Sequence, residues 1–377
     1  MKEGGAMRGQ SFIGLAGVVC CVGAPLALLG IFLPAGGLAR DLRSPSAASY
    51  LRRGTEYLAR GELDRAIADY SIAITFDPKY AKAYNGRGLV YRSKGDVDLA
   101  IEDYTRAVEI DPGLAEAYYN RGLAFQVKKD WNRAIQDYCS ALALKPNWAG
   151  AHLHRGEARR QIGDAAGALG DYNRAIALNP KLEKAHYERG LLRAADNNLR
   201  GAVDDFSQAI RHNPRFVEAY VNRGVIHHRL GMPFAAIPDF DQAIQLNKHL
   251  AAAYFARGNA WSALKKSERA IVDYDHALAL NPNLADAYNN RGNAHLAKGD
   301  LGAARADYSR AIAINPAYAL AYFNRGIALR SYGNLADAQK DLEQSIKLDP
   351  RLKDSIQAIS NLGGQEATSE ASSRSSP

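Results

Sequence analysis

Nine arginines and nine aspartates recur through this chain at one fixed spacing, and the chemistry that pairing offers is ionic rather than catalytic. Arg53, Arg87, Arg121, Arg155, Arg189, Arg223, Arg257, Arg291 and Arg325 stand 34 residues apart, each followed by glycine. Sixteen residues after each comes an aspartate: Asp69, Asp103, Asp137, Asp171, Asp205, Asp239, Asp273, Asp307 and Asp341. A planar guanidinium can take a carboxylate with two hydrogen bonds. We therefore expect a ladder in which each arginine meets an aspartate of its own or the preceding unit, serving packing and register.

Other reactive side chains form no catalytic set. The sequence has no Gly-rich phosphate loop, GxSxG, HExxH or paired-cysteine zinc spacing. His152 and His154 have the spacing of a metal pair, but His152 falls where most units place an aromatic ring, so packing is the expected role. His227, His228 and His295 fall near the end of a helix, where surface histidine is the ordinary case. Acidic residues follow the repeat and read as scaffold. No cofactor, metal or small-molecule substrate is expected, and the chain reads as a non-enzyme.

The elements that must position the ladder follow from the same period. With Ala47 as position 1, nine units run 47–80, 81–114, 115–148, 149–182, 183–216, 217–250, 251–284, 285–318 and 319–352. Position 20 is alanine throughout, from Ala66 to Ala338, and position 24 is aromatic from Tyr70 to Tyr308, with Leu342 last. Position 32 is proline in every unit except the sixth, which has Lys248. Apolar residues recur at spacings of three and four, the period of helices. Each unit thus predicts helix A, a turn, helix B and a stop. Gly61, Gly95, Gly163 and Gly299 suit a left-handed exit from helix A, and the acid after each suits the start of helix B. Gly at position 8 and Ala at position 20 let the two helices approach, with the ring at position 24 beside them.

This pattern resembles the tetratricopeptide repeat, a 34-residue helix-turn-helix with an aromatic at position 4, Gly at 8, Ala at 20 and 27, an aromatic at 24 and Pro at 32. Position 4 here is Tyr in seven units and His152 and His186 in two; position 27 is alanine from Ala73 to Ala311. The resemblance covers residues 47–352. It implies an all-α fold: a right-handed superhelical α-solenoid of nine helix pairs, plus a C-terminal capping helix over 353–362. Arginine at position 7, where leucine is common in the family, is this chain's departure. Residues 363–377 read as a disordered tail, and no run is left for a separate catalytic domain.

Phe12 to Ala39 holds no charged residue, between Arg8 and Arg40. Residues 1–39 fit a cleaved signal peptide, with Gly37-Leu38-Ala39 as the cleavage site, or an uncleaved membrane anchor. Lipid attachment at Cys20 or Cys21 is a third reading, poorly matched in the residue before the cysteine. Residues 40–46 form a linker. All three readings place the repeats in the cell envelope: periplasmic or secreted after cleavage, otherwise anchored to the inner membrane. Positive charge on both flanks leaves orientation open. Cys139 is the one cysteine of the repeats, so no disulfide can form within them.

The net charge of +8 does not come from the ladder, which cancels. Part of it falls late in helix A, at Arg92, Lys94, Lys128, Lys129, Arg159, Arg160, Arg229, Lys265, Lys266 and Arg330. The resemblance implies a non-enzymatic protein–protein scaffold that grips peptide segments of its partners in a groove lined by helix A positions 2, 5, 9, 12 and 13. The expected lining is Arg92, Tyr119, Arg160, Tyr187, His228, Phe255, Asn259, Asn293, Phe323, Asn324 and Arg330. Asn293 with Asn324 is partly similar to the family's carboxylate clamp, whose lysine is replaced here by Phe255 and Asn289. Nucleic-acid binding through the basic face, or service as accessory to an envelope enzyme, are the alternatives. The export-type front and the lack of a base-reading code weigh against nucleic acid. In the sixth unit Pro238 falls inside helix B, which predicts a kink there.

Overall fold

The computed structural model describes residues 46–357. The Phe12–Ala39 run, the expected linker up to Pro45, the end of the expected capping helix and the tail lie outside them. Contacts divide the chain into two units, residues 1–124 and 125–377. Both are built from helices laid down in sequence order. The A helices are α1 (Ala47–Ala59), α3 (Ala81–Lys94), α5 (Ala115–Val127), α7 (Ala149–Gln161), α9 (Glu183–Ala195), α11 (Val217–Arg229), α13 (Ala251–Ala263), α15 (Ala285–Ala297) and α17 (Ala319–Ser331). The B helices are α2 (Leu63–Phe76), α4 (Val97–Ile110), α6 (Trp131–Leu144), α8 (Ala165–Leu178), α10 (Leu199–His212), α12 (Pro233–Leu246), α14 (Ser267–Leu280), α16 (Leu301–Ile314) and α18 (Leu335–Leu348). Every A helix starts on the residue the period predicts. A short 3-10 turn, Pro350–Leu352, leads into helical residues 353–357, the start of the expected cap.

Within a repeat, helix A packs on helix B through glycine and a ring. A Cβ added at Gly258 would lie 2.7 Å from Tyr274, and one added at Gly88 would lie 2.7 Å from Tyr104. No side chain fits, so the backbone of A rests on the face of the ring. Ala66, Ala100, Ala168 and their counterparts are fully buried beside those rings. Such contacts put the core between helices rather than at one centre, as expected where each repeat buries only against its neighbours.

The expected ladder is present, and each of its pairs at Arg53, Arg87, Arg155, Arg189, Arg223, Arg257, Arg291 and Arg325 lies within its own repeat. Arg87 donates from Nε and Nη2 to both oxygens of Asp103 at 2.8 Å. The same fork joins Arg257 to Asp273 at 2.8 and 2.6 Å, and Arg223, Arg291 and Arg325 to their own aspartates. These aspartates are buried. The remaining nitrogen, Nη1, does something the spacing did not reveal. It reaches back to position 25 of the previous repeat: Arg87 to Ser71 at 3.0 Å, Arg189 to Asn173 at 2.7 Å, Arg223 to Ser207 at 3.0 Å. Arg155 meets Cys139 Sγ there at 3.3 Å, and Arg257 meets Asp241. One guanidinium thus ties three helices together. Its outer face lies over the position 4 ring, as in Arg291 over Tyr288 at 5.4 Å, a contact worth about 0.5–1 kcal/mol.

Where position 4 is histidine, the ring joins the ionic cluster instead. His152 Nδ1 lies 3.2 Å from Asp171 Oδ1, and its Nε2 lies 3.0 Å from the carbonyl of Pro146. Arg159 adds a second guanidinium to Asp171 at 2.8 Å, and Arg193 does the same for Asp205 at 2.9 Å. Burial works against the charge of Asp205, but His186, Arg189 and Arg193 outweigh it and hold the carboxyl below its usual range.

The turns obey backbone chemistry more strictly than residue type. Position 15 is left-handed in all nine repeats, at Gly61, Gly95, Gly163, Gly231, Gly299 and Gly333 but also at Lys129, Asn197 and Lys265, with φ of 56–59°. Helix B ends in a turn in which the position 31 side chain accepts from the backbone two residues on, as from Lys79 to Asp77 and from Lys181 to Asn179. That explains why Lys248 can replace proline: His249 N–H still donates to Asn247 Oδ1 at 3.0 Å, and the helix stops on time. Pro238 brings no interruption either. α12 is continuous from Pro233 to Leu246, as long as every other B helix.

Two stability measurements check this account. Replacing Arg189 by leucine strips the fork from the buried Asp205 but leaves it Arg193, which should cost about 1–3 kcal/mol and lower the melting temperature visibly. Lys129→Gly should raise it, because a left-handed lysine carries about 1–2 kcal/mol of strain, partly offset by glycine's greater freedom when unfolded.

Candidate functional site

The A-helix side of repeats seven to nine carries a chain of amides. Asn324 Nδ2 donates to Asn289 Oδ1 at 2.9 Å, and Asn289 Nδ2 donates to Asn290 Oδ1 at 3.2 Å. Asn290 Nδ2 donates in turn to Asn259 Oδ1 at 2.9 Å, which also accepts the Tyr274 hydroxyl at 2.8 Å. Asn293 Oδ1 accepts Tyr308 in the same way at 2.8 Å. A tyrosine hydroxyl can donate or accept, so the turn of these amides follows from the relay taken together. Among the described residues, Nδ2 of Asn259, Nδ2 of Asn293 and Oδ1 of Asn324 are then left without a hydrogen-bond partner. Phe255, 6.0 Å from the Tyr274 ring, Phe323 and Arg330 are part-buried on the same A helices. Arg330 has no ion pair or hydrogen bond among the described residues. Asn289 and Asn290 belong to this set and were not named as candidates. A signal was available for Asn290, since asparagine at position 6 recurs at Asn120, Asn222, Asn290 and Asn324; Asn289, at position 5, had none.

Repeats four and five present a second arrangement, of charges. Glu157, on α7, is buried and meets Lys184 Nζ at 2.7 Å, His154 Nδ1 at 2.9 Å and Gln126 Nε2 at 3.1 Å. Burial alone would raise its carboxyl, yet His154 and Lys184 prevail and hold it well below the usual carboxylate range. Glu188, on α9, has Arg160 Nε at 3.2 Å as its cation and is equally buried. Desolvation, then the charge of Glu157, push its carboxyl from 4.5 up to about 6. Tyr187 is held by Phe216, 4.7 Å away, and its hydroxyl accepts Asn222 Nδ2 at 3.0 Å. Arg160 and Tyr187 are therefore engaged inside the protein rather than waiting for a partner.

The other expected residues are more dispersed. Arg92 and Tyr119 lie on α3 and α5 in the unit of residues 1–124, both part-buried. His228, on α11, has a buried Nδ1 without a hydrogen bond among the described residues, and burial lowers its pKa. The basic residues late in helix A are partly spent: Lys94 pairs with Asp64 at 2.7 Å, Arg159 with Asp171 and Arg160 with Glu188. Among the described residues, no group of three metal-ligating side chains could hold an ion, and no helix is long and apolar enough to cross a membrane.

Family models described as "TPR repeat" match residues 54–92, 88–128, 262–299 and 292–330. Models described as "Tetratricopeptide repeat" match residues 119–183, 187–246 and 319–352. The chain belongs to the tetratricopeptide repeat family. TPR membership supports a protein–protein interaction scaffold, and the family is generally non-enzymatic. No curated protein matches the chain. Among solved structures, pilF of Pseudomonas aeruginosa shares 19% identity and a TM-score of 0.51, over 55% of this chain and 94% of that one. YrrB, described as "a TPR protein with an unusual peptide-binding site", shares 22% identity over 49% of this chain and 95% of its own, at TM-score 0.46. A MamA protein shares 24% over 46% of this chain and 94% of that one, at 0.42. The pilF likeness is one of fold.

Glu188 gives the charged cluster a measurable signature. A carboxyl raised in the folded state holds its proton between the unfolded value of 4.5 and the folded value of about 6. Stability therefore falls as pH rises through that window, and the full cost, about 2 kcal/mol from 1.5 pKa units, is present at neutral pH. Glu188→Gln should melt higher than the native chain at pH 7.5, with the difference closing by pH 4 in paired thermal scans.

Proposed function

We propose that this TPR protein is a non-enzymatic scaffold that holds an extended peptide segment of a partner against the A-helix side of repeats seven to nine. The observation carrying this reading is the amide relay. Its amides are turned by one another along the relay, which presents Nδ2 of Asn259 as a donor and Oδ1 of Asn324 as an acceptor, with Asn293 held on Tyr308 beside them. Main-chain carbonyls and N–H groups of a peptide are what such groups match, and Phe255 and Phe323 add apolar surface for its side chains. Pre-set amides lose little freedom on binding, which favours affinity. Arg330 would meet an acidic side chain or the terminal carboxylate. We place the protein in the cell envelope on the strength of its uncharged front segment; cleavage, anchoring and lipid attachment all lead there.

A photoreactive phenylalanine analogue at position 323, introduced into the full chain in cells, tests the site. A discrete crosslinked protein should appear, and Asn259→Ala with Asn293→Ala should remove most of it; the variant loses the acceptors of Tyr274 and Tyr308 and should melt lower, yet keep native helical content at the assay temperature. The same adducts from an analogue on the exposed B-helix surface, at Val272, would remove the claim.

A further inference from the structure

The turns between helices A and B change character at repeats six and seven, at a local cost to the fold. Position 16, the N-cap of helix B, carries an oxygen-bearing side chain in seven repeats: Glu62, Asp96, Asp130, Asp164, Asn198, Asp300 and Asn334. Five of these side chains accept a backbone N–H of the first turn, as Asp164 does from Gly167 and Asp300 from Ala303. Met232 and Lys266 replace them in repeats six and seven, and neither helix has a side-chain cap. A methionine there forgoes the hydrogen bond, and a lysine also opposes the helix dipole. The residue before it, Lys265, sits in the left-handed region that six repeats give to glycine. Local rules broken together in neighbouring turns point to surface work.

What they expose has one chemistry. Phe234 is 77% exposed and Met232 is 50% exposed. A lone exposed apolar residue is ordinary, but these two flank a proline at the tip of one turn. Leu264, at the end of the next A helix, packs against the cluster of Ala236 and Ile237 just after Phe234, which brings Lys265 and Lys266 alongside. Both lysines are exposed and make no ion pair among the described residues. Glu268, two residues after Lys266, is engaged by Lys298 at 3.4 Å, and Lys266 acts on it through its field.

We propose that this edge contacts an anionic phospholipid surface, Met232 and Phe234 entering the headgroup region while Lys265 and Lys266 bind lipid phosphates. A ring projecting from a turn, with lysines beside it, matches an interface that accepts apolar groups anywhere along its plane. A protein partner would instead have to supply a pocket for Phe234. The proposal does not rest on the peptide site: the two share repeat seven, but the peptide residues lie within the A helices and this edge lies at the A–B turns.

The only methionines outside residues 1–45 reduce to Met232, so its oxidation reads the patch without any label. The full chain is treated with dilute peroxide, alone and with phosphatidylcholine vesicles with or without phosphatidylglycerol, and sulfoxide at Met232 is followed by mass spectrometry. Anionic vesicles should slow it several-fold and neutral vesicles should not. Lys265→Glu with Lys266→Glu should cancel the protection, as should salt near 1 M, where the screening length falls to about 3 Å. Oxidation at the vesicle-free rate on anionic vesicles overturns the proposal. So does equal protection on neutral vesicles or in the double variant, which would mean that residues 1–39 alone hold the chain on lipid. Protection by a soluble protein and not by lipid would assign the edge to a protein partner and equally defeat it.

Discussion

The structure turns on a single guanidinium repeated along the chain. Two of its nitrogens close on the aspartate of the same helix pair, and the third crosses to the preceding pair. An isolated buried ion pair is a doubtful source of stability, because taking both charges out of water costs much of what their attraction returns. Here the arginine is only partly withdrawn from water while the aspartate is buried, as in the Arg87–Asp103 pair with side-chain exposures of 21% and 8%. The fork's geometry matters as much as its energy. It admits one register between A and B, and its third nitrogen admits one register between consecutive repeats.

The rest of the repeat is arranged so that this fork can close. Glycine beside the arginine brings helix A onto the position 24 ring, and the bare backbone contact sets the distance from which the arginine reaches its aspartate. The left-handed turn at position 15 returns the chain at the needed angle even where lysine or asparagine must adopt it. Repeats four and five show the same site adapting, with histidine replacing tyrosine: His152 meets its carboxylate directly, and His186 stands 3.8 Å from its own.

Two surfaces escape that structural duty. The A-helix side of repeats seven to nine has amides whose orientation is settled internally but whose outward groups are not used. Repeats four and five have charges that face one another, with Glu157 well compensated and Glu188 less so, and Arg160 and Tyr187, although correctly placed on A helices, are members of that internal network. Occupying a lining position is therefore a weak guide to being available. Availability depends on what the preceding repeat presents, and that differs between Leu153 and Asn289 although both hold position 5.

Period, helix boundaries, the glycine-on-ring contact and the arginine–aspartate pairing were all legible in the residues, because each is a local rule repeated nine times. The stop at Lys248 and the continuity through Pro238 were not: both depend on hydrogen bonds, from Asn247 and along α12, that outlast the loss of one favoured residue. Nor could the linear order show that the third arginine nitrogen bonds position 25, or that Asn324, Asn289, Asn290 and Asn259 form one relay. Repetition determines which residues are equivalent. Only the stacking of one repeat on the next decides which equivalent atoms meet, since those partners lie 16, 31 or 35 residues apart and are joined by packing alone.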